Sequence, residues 1–245
     1  MIPVIYPNYY PHQTNYNKRN NVATIVTTKV GTFSSTWKGS GTLYFDPGDG
    51  GSIEPLVLTA GGVAWNHAYP LSGSKIISIT GDFSGITSIA APSQSMQSVL
   101  NIFRYATNCS YFDFNFNTTN ESIELLRNVL PAVLSLNAST MGLTGDISVL
   151  SLLNVGCLNM SLGVNSFSCS SVFSAPALTG YTFSFRDSFS NSNSVGNCVV
   201  SYANGGMHNC SLNVAGTCPA PPSTQEVTDA IAILAGNGVT LYVNT

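Results

Sequence analysis

Short runs in which apolar and polar residues alternate fill the first third of the chain. Residues 22–28, 41–45, 56–58 and 75–79 are rich in β-branched and aromatic side chains, and Pro47-Gly48-Asp49-Gly50-Gly51 separates two of the runs. Period-two patterning bounded by turn residues predicts strands, and short strands at this spacing predict two packed antiparallel sheets over residues 21–80. Beyond residue 81 the rhythm lengthens. Leu134, Leu136, Leu143 and Gly145 are answered 24 residues later by Leu158, Met160, Phe167 and Cys169, and a further apolar pair follows at Phe183 and Phe185. This rhythm predicts strands at 76–79, 102–105, 133–136, 157–161, 182–185, 210–214 and 239–243. A longer phrase is also written twice, as Thr80-Gly81-Asp82-Phe83-Ser84 and Thr144-Gly145-Asp146-Ile147-Ser148. Its two aspartates are expected to accept hydrogen bonds from backbone amides at a bend.

Two returns between strands read as helices. Thr118-x-x-Glu121 has capping-box spacing ahead of residues 122–130, with Ile123, Leu126 and Leu130 on one face and Pro131 as a stop. Ser223-x-x-Glu226 opens residues 224–235, with Val227, Ile231 and Leu234 inward and Gly236-Asn237-Gly238 as the exit. Residues 1–20 follow neither pattern. Pro3, Pro7 and Pro11 recur every fourth position among Tyr6, Tyr9, Tyr10 and Tyr16, which forbids helix and favours an extended path. Tyrosines give such a segment something to bury against a neighbour, so an anchoring arm is expected there.

Self-similarity at 20–29 residues resembles a leucine-rich-repeat solenoid, which builds an extended binding face. The first unit resembles the PKD family. Phe45-Asp46-Pro47-Gly48-Asp49-Gly50, then His67-Ala68-Tyr69 and Gly73-Ser74-Lys75-Ile76-Ile77-Ser78-Ile79, match that family's aromatic-x-x-GDG turn, His-x-Tyr pair and closing strand. Pro47 departs from the apolar residue usual there, so the strand is expected to end early. The resemblance implies an immunoglobulin-like β-sandwich acting as spacer or adhesion module. The ending, with Ala220-Pro221-Pro222-Ser223, the capped helix and Gly236-Asn237-Gly238-Val239-Thr240, resembles the closing repeat of leucine-rich proteins of tailed bacteriophages and related bacteria. The expected architecture is therefore mainly β with minor α. An arm (1–20) precedes a PKD-like sandwich (21–80) and an irregular leucine-rich-repeat solenoid (81–245). The role implied is a non-enzymatic virion surface protein, a capsid decoration or a head or tail fibre present in many copies or as a homo-oligomer. Its arm would hold other virion subunits, and its repeats would face a host glycan or protein. A bacterial surface adhesin is the alternative, and a polysaccharide-degrading virion enzyme stands third.

Composition sharpens this picture. Charged residues make up 8 % of the chain, against roughly 25 % in an ordinary soluble domain. The net charge is −3 and the eight Lys and Arg residues are scattered, so no basic stripe is available for nucleic acid. No apolar run approaches the ~20 residues that span a bilayer, and Met1 opens no basic, apolar leader, so synthesis in a host cytoplasm without membrane insertion is expected. The six cysteines lack metal-binding spacing and read as buried free thiols, or as disulfides formed after release to an oxidising medium.

Catalytic chemistry finds little material. His12, His67 and His208 stand apart, with no His-Glu-x-x-His or Gly-x-Ser-x-Gly motif, and no cofactor is expected. His67 reads as a structural hydrogen-bonding group under the Gly-Asp-Gly turn. Asp46, Asp49 and Glu54 are weak calcium candidates, since hard oxygen ligands cluster there without the spacing of a calcium loop. Six Asn-x-Ser/Thr sites, at Asn108, Asn117, Asn120, Asn137, Asn159 and Asn209, read as chance in so Asn- and Ser-rich a chain. For a binding face the candidates are Tyr105, Tyr111, Phe112, Tyr181, Arg186 and Tyr202, flat or hydrogen-bonding groups beside expected strands.

Overall fold

The structure is a computed structural model that describes residues 21–245; the arm residues Pro3, Tyr6, Pro7, Tyr9 and Tyr10 lie outside them. Eight strands come first: β1 (Ala23–Thr27), β2 (Gly31–Gly39), β3 (Thr42–Asp46), β4 (Glu54–Val57), β5 (Val63–Tyr69), β6 (Lys75–Gly81), β7 (Ile86–Ala90) and β8 (Met96–Ser98). An antiparallel sheet runs β4-β3-β6-β1-β8. Facing it, β2 pairs antiparallel with both β5 and β7. Alternation sends Phe33, Ser35 and Trp37 of β2 inward, opposite Leu43 and Phe45 of β3. Phe45 lies stacked on Trp65 at 4.6 Å between ring centroids and meets Trp37 edge-on at 5.3 Å. The buried Trp37 indole N–H is satisfied within its own strand, donating to Ser35 Oγ at 2.8 Å. As expected, β3 ends before Pro47. Gly48 follows at φ +75°, where a Cβ would sit 2.1 Å from the Ile76 carbonyl oxygen, so only glycine fits.

The remaining strands are β9 (Tyr111–Asp113), β10 (Ser135–Asn137), β11 (Thr144–Asp146), β12 (Asn159–Ser161), β13 (Ser166–Ser168), β14 (Thr182–Ser184), β15 (Ser211–Asn213) and β16 (Thr240–Tyr242), with helices α1 (Ser192–Asn204) and α2 (Gln225–Gly236). Strands β7, β9, β10, β12, β14, β15 and β16 pair parallel in that order, extending the sheet of β2 and β5 to nine strands. Ser88, Tyr111, Ser135, Asn159, Thr182, Ser211 and Thr240 stand in one register row. The central residue of each strand points inward, from Ile89 through Phe112, Leu136, Met160, Phe183 and Leu212 to the half-buried Leu241. Strands β11 and β13 form a second, short parallel sheet on the return path. Among the described residues the fold is mainly β, with two α-helices.

Where the chain leaves the long sheet, buried amides tie successive turns together. Asn117 Oδ1 accepts from the backbone N–H groups of Gln94 and Met96, each at 3.0 Å, while its Nδ2 donates to the carbonyls of Ala91 and Phe114. Asn165 repeats the arrangement two turns later. It accepts from Met141 and Leu143 N–H and donates to Ala138 and Leu162 carbonyls. In the following turn Ser188 Oγ donates to the Leu162 carbonyl and accepts from Asn165 N–H. The sequence carries this as Phe112-x-Phe114-x-x-Asn117, Met160-x-Leu162-x-x-Asn165 and Phe183-x-Phe185-x-x-Ser188, a spacing that apolar periodicity alone passes over.

Several expectations are corrected. Residues 102–105 lie largely in a 3₁₀ helix (Leu100–Arg104), and the strand of that turn is β9. Residues 76–79 belong to the facing sheet, so the parallel series starts at β7. The sheets do not break at residue 80: β8 pairs with β1, and β7 joins β2 to β9. The helix expected at 122–130 is replaced by two 3₁₀ turns (Ile123–Leu126 and Leu130–Ala132), although Ile123, Leu126 and Leu130 are buried as read. Its box residue Glu121 is engaged elsewhere, accepting from Ser98 Oγ and from Val99 and Leu100 N–H. Spacing explains the difference. Register steps of 23–24 residues hold 3₁₀ turns or no helix, whereas both 29-residue steps (Thr182 to Ser211 and Ser211 to Thr240) hold an α-helix. Helix α2 appears as expected but is capped one residue later, with Thr224 Oγ1 accepting from Val227 N–H. The sequence reading lacked α1, because Asn191-Ser192-Asn193-Ser194 resembles a loop. Asn191 is its cap, accepting from Ser194 N–H, and Val195, Cys198, Val199 and Tyr202 form its buried face.

Asn165→Ala should leave three buried backbone groups, Met141 N–H, Leu143 N–H and the Ala138 carbonyl, without a partner and cost about 3 kcal/mol, a fall in Tm of roughly 6–12 °C by calorimetry. Tyr202 is the counter-case, since its hydroxyl is buried with no partner. Tyr202→Phe should therefore leave Tm unchanged or raise it.

Candidate binding face

The outward side of the parallel strands carries the row from Ser88 to Thr240 and a second row: Ala90, Asp113, Asn137, Ser161, Ser184, Asn213 and Tyr242. Both rows are almost entirely neutral and able to hydrogen-bond. Of the candidate face residues, Tyr111 and Tyr181 are exposed, at 46 % and 69 %. They flank β10 and β12, about 14 Å apart at ~4.8 Å per strand. Arg186 is also exposed and pairs with Asp187 at 3.2 Å.

The other three are corrected. Phe112 is buried against Phe103, with ring centroids 4.6 Å apart, because its position in β9 faces inward. Tyr202 is fully buried in α1 against Phe173 and Phe185. Tyr105 is partly buried against Phe83 at 5.3 Å. Aromatic residues at strand spacing here mostly fill the interior.

The structure instead groups Tyr181 with Asn209, Ser211, Thr240 and Tyr242 around a shallow depression of about 490 Å³ at the β16 end of the sheet. The sequence reading missed the last four. Their signal is the register itself, which puts Ser211 and Thr240 beside Thr182 and Tyr242 beside Asn213.

At the opposite end lies the one histidine network the sequence singled out. Asp46 and Asp49 each accept from a glycine amide two residues on, Gly48 and Gly51, at 3.0 Å. His67 of β5 reaches Asp49 Oδ2 from Nε2 at 2.8 Å and Glu54 Oε1 from Nδ1 at 3.0 Å, and Glu54 also accepts from the Trp65 indole N–H. The Tyr69 hydroxyl donates to the Pro47 carbonyl at 2.8 Å. With a carboxylate at each ring nitrogen, the geometry favours the protonated imidazole, whose two N–H groups can both donate. The calcium candidates Asp49 and Glu54 thus hold His67, and among the described residues no group of three His, Cys, Asp or Glu could hold a metal ion.

Burial opposes the charge on His67, but hydrogen bonds to Asp49 and Glu54 outweigh it and hold the pKa above the usual 6.5. The bond from His67, helped by Gly51 N–H, holds Asp49 below 3.8. Asp146 goes further: burial pushes it up, yet the hydrogen bonds of Ser170 and Ser148 bring it down to about 2. It caps a bend as expected. Its counterpart Asp82 also accepts from a backbone amide, Thr42 N–H at 3.5 Å, but does not cap its own 3₁₀ turn. Asn117, one of the Asn-x-Thr sites, is buried and fully hydrogen-bonded, so no glycan can attach there without unfolding. The six cysteines are free and buried, and burial pushes Cys109 and Cys169 up to about 12 and Cys157 to about 11.

No family model, curated protein or solved structure matches the chain.

The pKa shifts set a pH dependence. Stabilisation from Asp49 is complete above pH 3.8 and is lost as pH falls through its lower folded value. That from His67 is complete below pH 6.5 and is lost as pH rises through its higher folded value. Tm should therefore decline as pH rises above 6.5 through the folded value of His67, and His67→Gln should abolish that decline. An identical alkaline slope in both proteins would rule the network out as its source. Native protein should react only slowly with DTNB, all six thiols becoming titratable in denaturant.

Proposed function

We propose that this chain is a non-enzymatic adhesion protein of a bacteriophage virion surface, a capsid decoration or fibre carried in many copies. In this reading residues 1–20 anchor it to neighbouring virion subunits. The antiparallel strands β1–β8 are a PKD-like sandwich serving as spacer, and the parallel strands that continue from β7 through β16 are a leucine-rich-repeat-type solenoid facing the host. The in-register row from Ser88 to Thr240, a long, neutral, hydrogen-bonding face, is the observation that carries it. The repeated amide ties at Asn117 and Asn165 and the one-strand-per-turn rhythm support the repeat reading. The Gly-Asp-Gly turn held under His67 and Tyr69 supports the PKD likeness. Adhesion fits better than catalysis, because both ring nitrogens of His67, the histidine clustered with carboxylates among the described residues, are already engaged by Asp49 and Glu54. The virion setting rests on the resemblance of the closing repeat.

A face of this kind works by many weak contacts. Linked copies can exceed the affinity of one by ~10² to 10⁴. The monomer should bind host envelope poorly and a streptavidin-linked tetramer well, by biolayer interferometry, with no release of reducing sugar on prolonged incubation. Sustained turnover lost on His67→Ala would replace adhesion with catalysis. Deletion of residues 1–20 should leave residues 21–245 folded but absent from purified particles, and normal incorporation would refute the anchoring role.

A further inference from the structure

We infer that the depression at the β16 end of the long sheet is a subsite for a neutral pyranose unit of a surface polysaccharide; this rests on the adhesive reading above. Its volume of about 490 Å³ lies within the ~300–1,000 Å³ of small-molecule sites. Two aromatic side chains frame it, and both spend themselves on solvent: Tyr181 is 69 % and Tyr242 51 % exposed. Exposed rings with apolar faces and hydroxyl tips match the C–H faces and hydroxyl edges of a sugar ring.

The polar groups between them are uncommitted. Thr240 Oγ1 and the Asn209 amide have no hydrogen-bond partner in the protein among the described residues, and Ser211 Oγ lies 3.1 Å from the Tyr181 carbonyl with further acceptor capacity. Asn209 sits at φ +50°, a left-handed conformation that Asn adopts more readily than most residues, and its backbone N–H donates to the Asn237 carbonyl at 3.0 Å. Gly180 leaves the floor low, since a Cβ there would lie 2.5 Å from the Leu158 carbonyl oxygen.

Selectivity follows from what is missing from the lining. No side chain around the depression is charged, so nothing there would compensate the desolvation of a uronate, sialate or phosphate. Hydroxyl and amide groups match a neutral hexose or N-acetylhexosamine. A flat protein epitope would also meet this surface, so the test includes that outcome.

The experiment uses the full chain as a streptavidin-linked tetramer on an array of neutral and acidic bacterial oligosaccharides. Tyr181→Ala and Tyr242→Ala are compared with the exposed control Leu71→Ala, which lies in the first unit. Binding to neutral glycans should fall about tenfold or more for each tyrosine change and remain intact in the control. Circular dichroism should be unchanged, because both tyrosines are exposed. Glycan binding insensitive to both changes would overturn the subsite while leaving the adhesive face standing. A preference for acidic glycans would also overturn it, as would tyrosine changes that abolish only self-association or protein binding. Failure of the tetramer to bind any envelope component would overturn the adhesive reading and the subsite with it.

Discussion

A chain that repeatedly enters and leaves one parallel sheet must turn while still buried, and its backbone amides there are out of reach of water. Asn117 and Asn165 meet this constraint with one side chain each, satisfying two N–H groups of the preceding turn and two carbonyls, one on either turn. An unpaired buried amide costs about 1–3 kcal/mol, so displacing one such side chain costs more than several surface contacts supply. The same bonds lock register. A one-residue slip would carry Phe112, Leu136, Met160 and Phe183 from the interior to the outward rows. Exposure of the polar face and burial of the apolar one are therefore consequences of the same ties.

The two ends of the parallel series are managed differently. At the start, β7 is shared, antiparallel to β2 and parallel to β9, so the aromatic core around Phe45, Trp37 and Trp65 closes that end. A sheet built of successive parallel strands needs such covers, since an open end exposes both edge amides and apolar side chains. At the far end β16 is the sheet's last strand, and Leu241 is only half-buried where Leu212 beside it is fully so. Helix α2 packs beneath, against α1, whose Gly196 would bring a Cβ within 3.2 Å of Val227 Cγ2 in α2. The close approach of the helices is possible because that residue lacks a side chain.

Charge is scarce, and much of it is spent on the backbone. Glu121 holds two amides of the preceding turn, Asp146 holds Ser148 and Ser170, and Asp187 holds Thr217. Asp49 and Glu54 are occupied by His67. These carboxylates act as local staples, which leaves the outward rows neutral except at Asp113. A neutral face discriminates by hydrogen-bond geometry and stacking, and its contacts respond little to salt.

The residues themselves determined the mainly β character, the strands around the Gly-Asp-Gly turn, the early stop before Pro47, and the positions of five of the seven parallel strands. Each depends on local patterning, turn chemistry or a short period, which neighbouring residues decide among themselves. Tertiary structure decided the rest. Whether residues 122–130 formed an α-helix depended on the length of chain available between paired strands and on Glu121 finding partners in the previous turn. Tyr202 is interior because it lies on the buried face of α1. Phe112 looks like Tyr111 in sequence, yet the first is interior and the second exposed, because inward or outward direction is set by register against strands about 24 residues away. The grouping of Tyr181 with Tyr242 across 61 positions arises the same way. Long-range pairing brings such residues together, and no local signal encodes it.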